Sequence, residues 1–194
     1  NILKKIRKYN VYVIDDCSTD STKKLNKRYS NVKFVFNKKN IGYELTLFKG
    51  LNILKNKKFD YVITMDADGE HSISNIKKIM YFCKKNSPDL VIGNRSRKNR
   101  LFEKIISLLF NKRYKILDPL CGFKAYRLKT LKPLIRNYKI KQHFFIDILN
   151  LFIKEKLNIF SINIKSSSKP KRKSKVGGTL SSNLKIISCL VYLI

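Results

Sequence analysis

The segment Tyr61-Val-Ile-Thr-Met-Asp-Ala-Asp68 joins five residues typical of a β-strand to a pair of aspartates. Because side chains alternate along an extended backbone, Asp66 and Asp68 are expected on the same face of the chain, about 6–7 Å apart. Two carboxylates at the carboxyl end of a strand can hold a hard divalent cation that also binds phosphate oxygens. Taken alone, the pair also fits a solvated acidic turn.

A second acidic pair closes another predicted strand. The run Val11-Tyr-Val-Ile-Asp15 has the pattern of a buried strand, and Asp16 and a polar turn containing Ser18 follow it. Open α/β sheets bind nucleotides at the carboxyl ends of their strands. Two acidic strand ends repel each other unless a cation or another ligand offsets their charge. The two pairs together therefore favour a binding function over surface decoration.

Short apolar runs alternate with helical patterns around these segments, which is typical of an α/β sheet. The spacing predicts strands at residues 11–15, 33–36, 61–65, 90–92 and 159–164. It predicts helices at residues 21–29, 42–54, 101–114 and 144–154, and another over residues 73–83 with Ser72 or Ser74 as its cap. Residues 1–9 fit the end of a helix, and residues 166–178 fit a polar, basic loop.

The composition excludes several classes of protein. The chain has 194 residues, enough for one domain with a sizeable core. Its hydrophobic content of 43% excludes intrinsic disorder over most of the length, and no apolar run reaches the roughly 18 residues of a membrane span. Neither a structural zinc site nor a disulfide framework is expected, because the cysteines lie far apart and lack metal-ligand spacing: Cys17, Cys83, Cys121 and Cys189.

The chain is strongly basic. It has 43 Lys and Arg residues against 13 Asp and Glu residues, which gives a formal net charge of +30. A basic surface attracts phosphate in a nucleic acid, an anionic membrane or a phosphorylated substrate. The abundance of Lys, Asn and Ile also fits the codon bias of an AT-rich genome, so the charge alone does not single out one partner.

Five segments resemble, in the same order, the motifs of family 2 glycosyltransferases with the GT-A fold. They are Val13-Ile-Asp-Asp-Cys-Ser-Thr-Asp-Ser-Thr22 (family pattern V-D-D-G-S-x-D-G-T), Asn40-Ile-Gly-Tyr-Glu-Leu-Thr-Leu-Phe-Lys-Gly50 (N-x-G-x-x-x-A-x-x-x-G), Thr64-Met-Asp-Ala-Asp-Gly-Glu-His71 (D-A-D-x-Q-H), Ile92-Gly-Asn-Arg95 (G-x-R) and Asp118-Pro-Leu-Cys-Gly-Phe-Lys-Ala-Tyr-Arg127 (D-x-x-S-G-F-R-x-Y-R). Two departures are Cys17 in place of a Gly and Glu70 in place of a Gln.

The resemblance implies the GT-A nucleotide-diphospho-sugar transferase fold, an α/β fold with three layers (α/β/α) around a mostly parallel central sheet. The expected domain covers residues 1–180, and residues 181–194 begin an apolar, membrane-associated helix. The first strand of the family, of the type V-I-I-P-x-Y-N-E, has no counterpart in this chain. The sheet is therefore expected to be incomplete at its N-terminus, and the activity to belong to a complete protein.

Within the family, the late segment Lys169-Pro-Lys-Arg-Lys-Ser-Lys175 resembles the R-x-x-G-x-S-K loop of dolichol- and polyprenyl-phosphate mannosyl or glucosyl synthases. This resemblance implies an inverting hexosyltransferase. Its donor would be a nucleotide-diphosphate sugar of the GDP-mannose or UDP-glucose type, and its acceptor a polyprenyl or dolichyl phosphate. The enzyme is expected at the cytoplasmic face of a membrane, either peripheral or anchored by segments beyond the C-terminus.

The same resemblance implies roles for individual residues. A cation, Mg²⁺ or Mn²⁺, is expected on Asp66, Asp68 and Glu70. The nucleotide sugar is expected to contact Asp15, Asp16, Ser18, Asp66, Ala67, Arg95 and Lys175. The acceptor phosphate is expected to contact Arg95, Lys169, Arg172 and Ser174. Catalysis is assigned to Asp66 and Asp68, which stabilise the leaving diphosphate, and to Asp147, the base that a sugar-hydroxyl acceptor would require.

Three alternative functions stay open. The chain also fits a family 2 enzyme that acts on a sugar hydroxyl in cell-surface polysaccharide synthesis, an inactive fragment, or a basic nucleic-acid-binding module. The last of these explains the charge but not two acidic strand ends, so no nucleic-acid partner is expected.

Overall fold

The computed structural model describes residues 2–6, 8–29, 32–69, 71–96, 101–136, 138–139 and 144–165. Within these ranges helices and strands alternate, which confirms the predicted α/β class. In chain order they are α1 (Ile2–Ile6), β1 (Val11–Asp15), α2 (Thr22–Arg28), β2 (Val32–Phe36), α3 (Tyr43–Leu54), β3 (Tyr61–Thr64), α4 (Ser74–Asn86), β4 (Leu90–Arg95), α5 (Leu101–Tyr114), β5 (Lys124–Arg127), α6 (Leu128–Arg136), α7 (Phe144–Lys154) and β6 (Ile159–Ile164).

The described strands form two sheets. β1 and β2 pair in parallel, from Val11 opposite Val32 to Asp15 opposite Phe36. The larger sheet has the order β3-β5-β4-β6. In it β4 and β6 are parallel, whereas β5 is antiparallel to both β3 and β4. The larger sheet is therefore mixed, with one reversed strand in its interior.

Strand β5 and helix α6 are absent from the sequence-based expectation. β5 is four residues long and has a basic residue at each end, so it lacks the apolar alternation of a strand. It is nevertheless buried between β3 and β4, since Lys124, Ala125 and Tyr126 are at most 1% exposed. In α6, Pro133 lies inside the helix and obscures the helical pattern. β5 depends on strands that are distant in sequence, whereas α6 packs on the elements that precede and follow it, β5 and α7.

The expected serine cap of α4 is wrong. The N-cap position is Ile73, and no side-chain cap hydrogen bond forms there among the described residues. The Ser72 and Ser74 hydroxyls instead bond each other at 2.9 Å. The backbone carbonyls of Ser72 and Ile73 accept the N–H groups of Asn75 and Ile76. A turn before the helix thus satisfies donors that a serine cap would have satisfied.

The main core packs around β4 and α7. Leu90, Val91 and Ile92 of β4 are fully buried, the pattern of a strand that is covered on both faces. Helix α7 buries every residue from 144 to 149. Helix α3 contacts α7 on one side and β1 on the other. It therefore links β1 of the small sheet to α7 of the main core.

Helix α4 offers a matched test of this packing, because Ile79 is fully buried and its neighbour Met80 is 44% exposed. Ile79→Ala should lower the free energy of unfolding by about 2–5 kcal/mol through lost burial and a residual cavity. Met80→Ala should change it by about 0.5 kcal/mol or less. Urea unfolding followed by circular dichroism measures both. Equal effects of the two substitutions would contradict the placement of α4.

Candidate active site

The chain makes a tight turn directly after the first acidic strand end, at the end of β1. Asp15 closes β1 and is 5% exposed, and its carboxylate accepts the backbone N–H of Ser18 at 3.0 Å. Between them Cys17 has a φ of +60°, in the left-handed region that favours glycine. The turn therefore needs the backbone geometry that a glycine adopts easily, although the sequence supplies a cysteine. Asp15 and Ser18 both shape this turn.

The carboxylate of Asp16 holds the start of α3. Its two oxygens accept the backbone N–H groups of Ile41 and Gly42, each at 2.8 Å, and the side-chain amide of Asn37 at 3.0 Å. Partial burial tends to raise the pKa of Asp16, but the hydrogen bonds it receives favour the ionised form and bring that pKa below its ordinary value. Gly42 has a φ of +88°, which lets the chain turn sharply into the helix.

The second acidic strand end lies where β3, α3 and the loop before β5 meet. The carboxylate of Asp66 is hydrogen-bonded to the hydroxyl of Tyr43, the first residue of α3. The Nε2 atom of His71 lies 3.7 Å from Oδ2 of the same carboxylate. Asp68 and Ala67 are exposed, in a turn where Gly69 has a φ of +86°. Asp66 is thus held by neighbours, while Asp68 faces the surface.

These two aspartates suit a cation that is shared with a ligand. Within the described ranges, no cluster of three or more His, Cys, Asp or Glu side chains is arranged to bind a metal ion. Magnesium is typically held by one or two carboxylates together with phosphate oxygens and water. Asp66 and Asp68 supply two carboxylates of this kind, so the donor set fits a hard divalent cation that takes its other ligands from a diphosphate.

Arg95, at the end of β4, forms a bidentate ion pair. Its Nε and one terminal nitrogen lie 2.8 and 3.1 Å from the two oxygens of Asp118, and Glu103 lies 3.8 Å away. Burial tends to lower the pKa of Arg95, but the hydrogen bonds and charge of Asp118 raise it above its ordinary value. Arg95 is therefore a fixed cation whose direction is set by Asp118.

A buried lysine organises the loop between Asp118 and β5. The ammonium group of Lys124 donates to the carbonyls of Pro119 and Cys121 at 2.9 and 2.8 Å. It also lies 3.3 Å from the ring centroid of Phe145 on α7. Burial lowers the pKa of Lys124 to about 7. The same burial raises the pKa of the Cys121 thiol to about 12, which makes this sulfur inert as a nucleophile at neutral pH.

Asp147 lies in the first turn of α7. It is 6% exposed, and its carboxylate accepts the hydroxyl of Tyr138. The backbone N–H of Phe145 donates to Glu44 of α3 at 3.0 Å, and the ring of Phe145 lies 6.0 Å from that of Tyr43. Helix α7 therefore borders the site through Phe145, two positions before Asp147.

The structure brings together only some of the predicted site residues. Asp16 and Asp66 are linked through the consecutive residues Gly42 and Tyr43, whereas Arg95 forms a separate cluster with Asp118. Five predicted residues lie outside the described residues: Glu70, Lys169, Arg172, Ser174 and Lys175. The apolar segment 181–194 lies outside them too.

Four side chains at the site carry no role in the sequence-based expectation: Tyr43, His71, Asp118 and Lys124. Three of them are polar or charged yet 4% exposed or less: His71, Asp118 and Lys124. Asp118 and Lys124 belong to the D-x-x-S-G-F-R-type segment, where a charge at each end of a hydrophobic stretch was the available signal. No such pattern marks Tyr43, because its place in the site depends on the contact between its hydroxyl and Asp66.

Comparison with known proteins gives consistent matches. A protein-family model described as glycosyl transferase family 2 matches residues 1–157. The dolichyl-phosphate beta-glucosyltransferase of Dictyostelium discoideum is 28% identical over 174 residues, which cover 78% of this chain and 52% of that protein. The chain thus spans about half the length of this relative. The UDP-N-acetylglucosamine–dolichyl-phosphate N-acetylglucosaminyltransferase of Methanococcus voltae is 24% identical over 187 residues, which cover 81% of this chain and 74% of that protein.

Among solved structures, glucosyl-3-phosphoglycerate synthase from M. tuberculosis superimposes with a TM-score of 0.67 at 20% identity. The match covers 93% of this chain and 68% of that one. This likeness concerns the fold alone, and it confirms the expected GT-A architecture. Because the family model covers most of the sequence, from residue 1 to residue 157, this chain belongs to glycosyl transferase family 2.

Proposed function

We propose that the protein is an inverting hexosyltransferase that moves a sugar from a nucleotide diphosphate to a polyprenyl or dolichyl phosphate. The observation that carries this proposal is the linkage of two acidic strand ends: Gly42 binds Asp16, and the next residue, Tyr43, binds Asp66. A bound nucleotide would place its base or ribose near Asp16 and its diphosphate near Asp66. The names of the two dolichyl-phosphate transferases support the acceptor.

On the donor side, Asp16 contacts the base or ribose, next to the turn that Asp15 and Ser18 form. Asp66 and Asp68 hold Mg²⁺ or Mn²⁺ against the diphosphate, together with Glu70. When bound, the cation offsets the negative charge on the departing nucleoside diphosphate. Support comes from the M. tuberculosis synthase, which was crystallised with Mn²⁺ and UDP or UDP-glucose. The donor of this protein is a nucleotide sugar of the GDP-mannose or UDP-glucose type.

The acceptor phosphate needs no general base, because it is already ionised at neutral pH. One of its oxygens forms a bond to the anomeric carbon while the bond from that carbon to the nucleotide diphosphate breaks, and the diphosphate keeps the electron pair. The protein then has to supply position and positive charge. Asp147 favours this acceptor over a sugar hydroxyl, because its carboxylate is nearly buried and already accepts the Tyr138 hydroxyl.

Basic side chains are proposed to bind the diphosphate of the donor and the phosphate of the acceptor. Arg95 contributes a cation whose orientation Asp118 has set before any ligand binds. The late basic segment completes the site in this proposal through Lys169, Arg172, Ser174 and Lys175. Lysine there acts as a mobile point charge, whereas arginine offers paired donors.

Helix α5 is proposed to rest on the cytoplasmic face of a membrane. Ile106 and Phe110 on its inner side are buried, whereas three apolar side chains face outward: Ile105, Leu108 and Leu109 are 37%, 67% and 49% exposed. Basic residues flank this face at Lys104, Lys112 and Arg113. In the described part of the chain, none of the helices combines the length and apolar character needed to cross a bilayer. An apolar face with basic flanks is typical of an interfacial helix.

The cation site is tested by Asp68→Asn. We expect transfer from the nucleotide sugar to polyprenyl phosphate to fall by roughly 100-fold or more, since charge stabilisation of the leaving group is lost. The fold should be unchanged, because Asp68 is exposed. Asp60→Asn, at the opposite end of β3 and also exposed, is the matched control. Transfer of radiolabelled sugar into the organic phase measures both, and full metal-dependent activity of Asp68→Asn would refute the assignment.

The membrane contact is tested by liposome flotation. The protein should float with vesicles that contain anionic lipid, because each cation near such a surface contributes about 1 kcal/mol. Changing Leu108 and Leu109 together to Gln should reduce the floated fraction severalfold, since their apolar area no longer enters the interface. Met80→Gln, an exposed apolar residue of α4, is the control. Equal recovery with neutral and anionic vesicles would refute the membrane surface and favour a soluble acceptor.

A further inference from the structure

The hydroxyl of Tyr43 is placed against the carboxylate of Asp66. Gly122, in the loop before β5, faces both groups. A Cβ atom at Gly122 would lie 2.6 Å from Oδ2 of Asp66 and 2.9 Å from the Tyr43 hydroxyl. Such distances are too short for real contacts, so a side chain at this position would displace the Tyr43 hydroxyl or the Asp66 carboxylate. Three segments distant in sequence thus meet at one hydrogen bond.

Tyr43 itself is held from two sides. Its backbone follows Gly42, whose N–H is bound by Asp16 at 2.8 Å. Its ring, 47% exposed in total, lies against Phe145 of α7 at 6.0 Å between centroids. The tyrosine is therefore fixed by the small sheet through Asp16 and by the large core through α7.

Asp66 is approached on the other side by His71. The imidazole is buried, its ring centroid lies 5.5 Å from that of Phe123 in a tilted arrangement, and its Nε2 lies 3.7 Å from Oδ2. Gly122 faces the same oxygen and also the tyrosine hydroxyl. The carboxylate of Asp66 is thus approached by the Tyr43 hydroxyl and by the His71 imidazole before any cation binds.

We infer that Tyr43 is a positioning residue for the cation-binding carboxylate of Asp66. It also connects the cation site to Asp16, which binds the start of α3. The inference rests on the proposed function, because it needs Asp66 and Asp68 to bind a divalent cation. The tyrosine hydroxyl donates to the carboxylate and sets its orientation before the cation arrives. Loss of a hydrogen bond to a metal ligand typically weakens metal affinity by roughly 10-fold to 100-fold.

The experiment is a Mn²⁺ titration of the full chain without any nucleotide sugar, in which electron paramagnetic resonance measures free Mn²⁺. Tyr43→Phe removes only the hydroxyl and should raise the dissociation constant by roughly tenfold or more. Tyr81→Phe, at a 70% exposed position on α4, should leave the constant unchanged. Asp68→Asn serves as the reference for loss of the site. Melting temperatures of all variants should stay within about 2 °C of each other.

The outcomes separate the inference from the proposed function. If Asp68→Asn loses Mn²⁺ while Tyr43→Phe binds it as the unchanged protein does, the role of Tyr43 is refuted and the cation site stands. A weaker affinity of Tyr43→Phe accompanied by a lower melting temperature would make Tyr43 a packing residue and also overturn the inference. If the unchanged protein binds no Mn²⁺, the cation site and the inference both fail. A second variant, Gly122→Ala, should weaken affinity as Tyr43→Phe does, because its methyl group would separate the pair.

Discussion

The carboxylate of Asp16 binds the backbone N–H groups of Ile41 and Gly42, and the placement of α3 against β1 and α7 depends on this interaction. A carboxylate on two adjacent N–H groups at a helix start is favoured by charge-assisted hydrogen bonding and by the helix dipole. The helix that begins there packs on β1 and on α7. Its first side chain, Tyr43, then reaches Asp66 at the end of β3. One ionised group thus sets the distance between two acidic strand ends.

Basic side chains are mostly exposed in the described part of the chain, whereas several acidic side chains are buried. Among the basic residues, however, Lys124 is buried and the Arg95 side chain is largely covered. Arg95 pairs with Asp118, and Lys124 binds two carbonyls of the loop that contains Gly122. Buried cations are tolerated only when they are paired or fully hydrogen-bonded. Their partners therefore help to shape that loop, in which a Cβ atom added at Gly122 would meet the Asp66 carboxylate.

Much of the site could be predicted from short segments. The runs that end in Asp16 and Asp68 are apolar strands followed by acidic residues, and that pattern lies within a few neighbouring positions. The pairing of Arg95 could not be predicted in the same way. Its segment locates the end of β4, but its partner Asp118 is 23 positions away and meets it only through the sheet. Asp118 fixes the orientation of the Arg95 guanidinium, and the segment around Arg95 contains no sign of this pairing.

The sequence by itself determined the α/β class, the strands β1, β3 and β4, and the acidic residues at two of their ends, because apolar alternation and polar termini are properties of adjacent residues. The tertiary structure alone decided that β5 is a buried, reversed strand, that the apolar residues Leu108 and Leu109 of α5 face outward, and that Tyr43 meets Asp66. These outcomes depend on the order of strands in a sheet and on which side of a helix is covered. Spacing within one segment contains no information about the segment that will lie opposite.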